Sequence, residues 1–298
     1  MKPKRRPNRD KMRNEFPSRE AVFSRDRLPG IHVLDPHPDG SPAVLLLHGL
    51  GATGASWGLQ LPALSEAGFR PLAPDLPGFG ASPYDGRGWT IPRVAAQMAA
   101  LLEERQTGPA HVVGISMGGV IAQRFAFDFP ALTRRLVLVN TFAALRPTHW
   151  RGWLYFLQRF VVVNTLGLET QARFVARRIF PDPHQESLRE VLVESIASAD
   201  RRAYRRAMLA LGLFDSRPWL GRIQAPTLVV TGERDSTVEP LRQRLLADGI
   251  PGARQVVVAG AGHALSVERA DEFNRILLDF LFLPQMSADD HGFLDSNP

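Results

Sequence analysis

Residues 111–126 read "HVVGISMGGVIAQRFA". The opening is apolar and β-branched, as a short buried strand is, and "MGGVIAQRFA" then spaces its apolar side chains as a helix does. Between the two, Gly114-Ile115-Ser116-Met117-Gly118 forms G-x-S-x-G. A turn sharp enough to lift a serine Oγ above the end of a sheet strains the serine backbone. It also crowds the positions two residues to either side, so the turn calls for Gly114 and Gly118. Strand before and helix after give this short pattern its weight.

The same strand-then-helix rhythm extends along the chain. "AVLLLH" (43–48), "RPLAPD" (70–75), "AHVVGIS" (110–116), "RRLVLVN" (134–140), "PTLVVTG" (226–232) and "RQVVVAG" (254–260) are short aliphatic runs. They read as strands buried on both faces of a parallel sheet, and segments such as "ADEFNRILLDFLF" (270–282) read as its covering helices. The expected fold class is α/β, a mostly parallel doubly wound sheet. The rhythm fails over 141–220, which holds 11 of the 25 aromatics and twelve Arg against seven acids. This stretch reads as a helical cap inserted after "LVLVN", leaving 31–140 and 221–284 as the body. Trp150, Trp153 and Phe156 are candidate pocket residues between cap and body, with burial in the cap's own core as the competing reading.

Charge and composition exclude several classes. The net charge is +6, and residues 1–30 alone carry ten Lys or Arg against four acids, so the basic character belongs to a leader. That leader lacks interleaved aromatics, so no nucleic-acid partner is expected; it reads as a solvated, disordered segment, and 285–298 as a second loose tail. Cysteine is absent, which rules out disulfides and thiolate chemistry. No apolar run reaches the roughly 18–20 residues that span a bilayer, and no hydrophobic segment follows the basic leader as in a secretory signal. A cytoplasmic protein with no membrane partner is expected.

A serine hydroxyl needs a base, and the base an orienting carboxylate. In a nucleophile-elbow architecture the order is Ser, acid, His. His263 in "VVVAGAGHAL" follows the last strand-like run, whereas His291 lies in the tail. "PTLVVTGERDSTVEP" offers Glu233 and Asp235, and Asp235, further into the loop, is preferred. A satisfied loop histidine and a turn-capping aspartate are the bland alternatives.

"LLLHGLGATGASW" (45–57) supports a rival. Gly49, Gly51 and Gly54 fit G-x-G-x-x-G after a strand, and Asp75 stands where a ribose-binding acid would. That NAD(P)-binding reading gives no role to His48, Ser116 or His263, and Pro62 falls in the helix it requires.

The set His48-Gly49, "PDLPGFGAS" (74–82), the Ser116 turn, "TGERD" (231–235) and "GAGHAL" (260–265) resembles the α/β-hydrolase-fold serine hydrolases over about residues 31–284. The resemblance implies that Ser116, Asp235 and His263 form a catalytic triad. It also implies that backbone N–H groups of Leu50 and Met117 form an oxyanion hole, with Gly49 in the loop that carries one of them. His48 would then be structural, and neither metal nor organic cofactor is required. "GISMGG" with "GHALSVERADEFNRILLDFL" is similar to enol-lactonases and small esterases, so a small-molecule ester or lactone is the expected substrate. Ring-fission carbon–carbon hydrolases typically carry Asn and Trp where this chain has Ile115 and Ala264, which ranks them lower. Cofactor-free perhydrolases share the triad, and a receptor on the same fold would retain it.

Overall fold

A computed structural model describes residues 30–145, 154, 165 and 167–283. Seven strands are found among them: β1 (Val33–Leu34), β2 (Ala43–Leu47), β3 (Arg70–Pro74), β4 (Ala110–Ile115), β5 (Thr133–Val139), β6 (Thr227–Gly232) and β7 (Arg254–Val258). They form one sheet in the order β1-β3-β2-β4-β5-β6-β7. Only the β1–β3 pair is antiparallel. The mostly parallel α/β sheet is therefore as expected.

Side-chain alternation along the central strands builds a core on each face of the sheet. Leu45, Leu47, Val112, Leu136 and Leu138 pack on one side with α2 (Ile91–Glu104) and α3 (Met117–Asp128). Val44, Leu46, Val113, Val137, Val139 and Val230 pack on the other, against Trp57 and the Phe273 and Leu277 of α9 (Ala270–Phe282). Each such side chain contributes about 1.5–3 kcal/mol by leaving water. Two-sided burial holds for β2 to β6. It does not hold for β7, an edge strand whose Val257 is 56% exposed. β1, two residues long and antiparallel, carries too little pattern to be seen in sequence.

One argument from the sequence needs correction. Pro62 does not interrupt a helix; it lies in the first turn of α1 (Leu61–Glu66), where a missing N–H costs nothing.

Between β5 and β6 the described residues form α4 (Gly167–Ile179), α5 (Glu186–Ser198) and α6 (Arg201–Leu213). The inserted helices leave and return through one neck, where Ala144 bridges Asp215 and Ser216 Oγ donates to Ala143 O. Asp200 caps α6 by accepting the N–H groups of Arg202 and Ala203, and its own N–H donates to Gly78 O. A Cβ on Gly78 would meet Ala203 Cβ at 2.2 Å, which explains a glycine in "PDLPGFGAS". Ile196 and Tyr204 of the cap are buried in the same cluster as the body residues beneath them.

Candidate active site

The chain runs from β2 outward to β3, then crosses back to place β4 on the other side of β2. At such a reversal the loops leaving two neighbouring parallel strands diverge, and a crevice opens above their carboxyl ends. Leu47 pairs with Gly114 there, so the loop carrying Gly49 and Leu50 and the turn carrying Ser116 share one rim.

Ser116 sits at that turn with φ 52° and ψ −114°, a conformation that costs a non-glycine residue on the order of 1–3 kcal/mol. Surrounding contacts hold it there: Ser116 N–H donates to Val139 O, and Thr141 Oγ1 donates to Ser116 O at 2.7 Å. The two glycines of the elbow turn out to have different causes. A Cβ on Gly114 would strike the backbone of Gly118 and Gly119, which is the turn itself. A Cβ on Gly118 would lie 1.9 Å from Leu47 O, the end of the adjacent strand. Gly119 has a further reason, since its Cβ would meet the Thr141 side chain at 2.6 Å.

Asp235 follows β6 and His263 follows β7, and both are buried. His263 Nδ1 lies 2.9 Å from Asp235 Oδ2 and 3.0 Å from Oδ1. A carboxylate accepts and does not donate, so Nδ1 carries a proton, and in the neutral ring Nε2 would then hold the lone pair. Asp235 also accepts from the N–H groups of Thr237 and Val238 and from Gln243 Nε2. The turn-capping reading of Asp235 and its pairing with His263 therefore hold together. Glu233, the other acid in this loop, instead accepts from Gly260 N–H.

Ser116 and His263 both line a cavity of about 1080 Å³ between the sheet edge and the inserted helices. Among the described residues no hydrogen bond joins Ser116 Oγ to His263 Nε2; such bonds often tighten only when substrate is bound. Leu50 and Gly49 also line the cavity. Met117 is the first residue of α3, where an N–H has no partner within the helix and the dipole favours negative charge. Gly49 itself is not sterically required, because a Cβ there would make ordinary contacts at 3.7 Å. Of the candidate pocket residues, Trp150, Trp153 and Phe156 lie outside the described residues. Within the described residues the apolar wall comes from residues such as Phe142, Leu145, Val175, Ile179 and Leu192.

The glycine-rich loop after β2 is committed elsewhere than to phosphate. Gly51 (φ 83°) packs so closely on α5 that a Cβ would lie 2.4 Å from Ile196 Cγ1, and its carbonyl accepts from Ser195 Oγ at 2.7 Å. Asp75 is buried, and its carboxylate accepts from Gly54 N–H, Ala81 N–H and His32 Nδ1. With its oxygens so engaged it has no ribose-binding role to offer. His48 is fully buried: Nδ1 donates to Gly49 O at 2.8 Å, and Nε2 accepts from Leu76 N–H at 2.9 Å. The Nε2 contact requires the neutral ring, and burial pushes its pKa down to about 4 against the opposing pull of the Gly49 carbonyl. His48 is thus a brace between the loops after β2 and β3. Among the described residues no group of three or more His, Asp or Glu side chains is arranged to hold a metal ion.

Two residues near the site escaped the sequence reading. Asn140, buried with φ 44°, donates through Nδ2 to Gly262 O and His263 O and accepts from Gly232 N–H. Glu268 accepts from the N–H groups of Gly262 and Ala264. Their partners are backbone atoms distant in sequence or hidden in a loop, and no residue-type pattern announces them.

The sequence pattern of the alpha/beta hydrolase family matches residues 44–276. The chain belongs to that family. It is 35% identical over 250 residues to RutD of Variovorax paradoxus (strain S110), a protein provisionally named as a carbamate hydrolase, covering 82% of this chain and 93% of that one. It is 30% identical to the pimeloyl-[acyl-carrier protein] methyl ester esterase of Aeromonas hydrophila, covering 80% and 95% of the two chains. The crystal structure of the enol-lactonase from Burkholderia xenovorans LB400 superposes with a TM-score of 0.76 at 28% identity, over 85% of this chain and 95% of that one. No described helix of this family member is long and apolar enough to cross a membrane.

Proposed function

We propose that this alpha/beta hydrolase cleaves a carboxylic ester or lactone through an acyl-enzyme on Ser116. The observation that carries the reading is the buried His263–Asp235 pair opening onto the same cavity as a serine held at φ 52°. His263 Nε2 takes the Ser116 proton as Oγ attacks the carbonyl carbon. The carbonyl oxygen becomes an oxyanion, met by the N–H groups of Leu50 and Met117. Collapse breaks the ester bond, and His263 returns the proton to the leaving alcohol or enol. A water, deprotonated by His263, then releases the acid and restores Ser116. Asp235 keeps the imidazole in the tautomer this cycle needs and stabilises it when charged.

The inserted helices act as the cap, and their apolar wall favours a small substrate with a hydrophobic portion. The names of the relatives extend the candidates to carbamates, whose carbonyl is attacked in the same way. We place the enzyme in the cytoplasm, a compartment in keeping with its cysteine-free composition. A panel of p-nitrophenyl esters, lactones, an aryl carbamate and one ring-fission product, run on wild type and Ser116→Ala, tests the reading. Ester or lactone turnover that disappears in Ser116→Ala supports it. Turnover confined to the carbon–carbon substrate, or surviving in Ser116→Ala, overturns it.

A further inference from the structure

We propose that Glu268 and Asn140 are positioning residues that clamp the backbone of the His263 loop, one through its N–H groups and the other through its carbonyls, an inference that rests on His263 being the base. Residues 262–264 lie between β7 and the short helix α8 (Leu265–Glu268); Ala264 O accepts from Val267 and Glu268 N–H, but no backbone hydrogen bond is described for the N–H groups of Gly262 and Ala264 or the carbonyls of Gly262 and His263. Buried N–H and C=O groups must nonetheless be paired. Two side chains do this around one residue. Glu268 Oε2 accepts from Gly262 N–H at 2.6 Å and Oε1 from Ala264 N–H at 3.2 Å, the amides immediately before and after His263. Asn140 Nδ2 donates to Gly262 O at 2.9 Å and His263 O at 2.8 Å.

The clamp also sets base against acid. Asn140 Oδ1 accepts from Gly232 N–H at 2.7 Å, at the end of the strand that leads to Asp235. One buried amide therefore ties the loop of the base to the strand of the acid. The fit leaves no spare room: a Cβ on Gly262 would fall 2.9 Å from both Glu268 oxygens, and one on Gly232 would fall 2.4 Å from Gly262 O. Asn140 makes its bonds from a left-handed backbone at φ 44°, a region asparagine tolerates better than most residues. Neither side chain is required to touch substrate. Each works by holding the imidazole where Nε2 meets Ser116 Oγ, and misplacement on the ångström scale is costly in such a step.

The test compares wild type with Glu268→Ala, Glu268→Gln and Asn140→Gly. The last keeps the left-handed backbone and deletes the amide. We expect kcat on a p-nitrophenyl ester to fall on the order of 10- to 100-fold in Glu268→Ala and Asn140→Gly, with KM within about threefold. Labelling of Ser116 by a fluorophosphonate should slow by a similar factor. Glu268→Gln, which keeps the volume and one acceptor oxygen, should recover part of the loss. Glu233→Ala removes a comparable carboxylate–amide bond, to Gly260 of the same loop, and should leave kcat within about twofold of wild type.

The clamp is refuted if Glu268→Gln and Asn140→Gly, folded by circular dichroism, both keep wild-type kcat and labelling rate, or if Glu233→Ala loses as much as Glu268→Ala. Should the alanine variant not fold, Glu268→Gln and Asn140→Gly carry the decision. Wild-type protein that fails to label at Ser116 defeats the functional reading instead. Wild-type labelling with unaltered variants defeats the clamp alone.

Discussion

Two buried histidines stand on loops at the carboxyl edge of one sheet, and their surroundings make them opposites. His48 has both ring nitrogens bonded to backbone, a carbonyl on Nδ1 and an N–H on Nε2. Protonation would put a second N–H where Leu76 N–H already points, and burial holds the pKa near 4. His263 has a carboxylate on Nδ1 and lines the cavity that Ser116 also lines. A proton arriving on Nε2 there creates an ion pair with a partner already in place. Burial alone therefore does not set up a base; the proposed mechanism also uses a buried counter-charge on one nitrogen, with no hydrogen bond to the other among the described residues.

The contrast is most severely tested by replacing each histidine in turn. His263→Ala should reduce kcat on the order of 10⁶, as loss of the base does in other triads, with little change in melting temperature. Asp235→Asn should follow at roughly 10⁴, because an amide on Nδ1 favours the wrong tautomer; the pH–rate profile and kcat report it. His48→Ala should instead act on stability, at about 3–4 kcal/mol, since it orphans Leu76 N–H and Gly49 O and leaves a cavity. Urea unfolding measures that loss. Equal falls in kcat for His48→Ala and His263→Ala, with equal stabilities, would erase the distinction between brace and base.

The smallest effect is on pH stability. Both His48 and His111 have folded-state values lowered from 6.5 to about 4. Burial is the main cause in each case, joined at His111 by Arg134 and Arg135. The unfolded chain binds more protons between those values, so this contribution is fully present above pH 6.5 and is lost as pH falls toward 4. Between pH 7 and pH 5 the loss is about 2 kcal/mol per histidine. Urea midpoints should fall across that interval, and the fall should be smaller in His48→Gln.

What could be read from the sequence follows from where the information lies. β2 to β6 announce themselves because a strand buried on both faces must be a short aliphatic run. β7 carries the same letters yet has one exposed face, since position at the sheet edge is set by topology and not by composition. Ser116, Asp235 and His263 are visible because the proposed chemistry demands particular residue types beside glycines or at strand ends. The preference for Asp235 over Glu233 comes from its place further into the loop, and the structure does pair it with His263; the separate causes for Gly114 and Gly118 needed coordinates. Asn140 and Glu268 were invisible because they act on backbone atoms, in the case of Asn140 across 122 and 123 positions. The pocket wall was the least legible part: its described portion joins the loop after β5 to α4 and α5, and the aromatics singled out for it lie outside the described residues.

The central claim is that Ser116 is a nucleophile activated by His263. It is tested most directly by reacting the folded protein with a fluorophosphonate, then finding the adduct by intact mass and peptide mapping. The account predicts one phosphonyl group, on Ser116, formed with loss of fluoride, absent in Ser116→Ala and slowed by orders of magnitude in His263→Ala. An adduct on another residue, no adduct on folded wild type, or an undiminished rate in His263→Ala would contradict it.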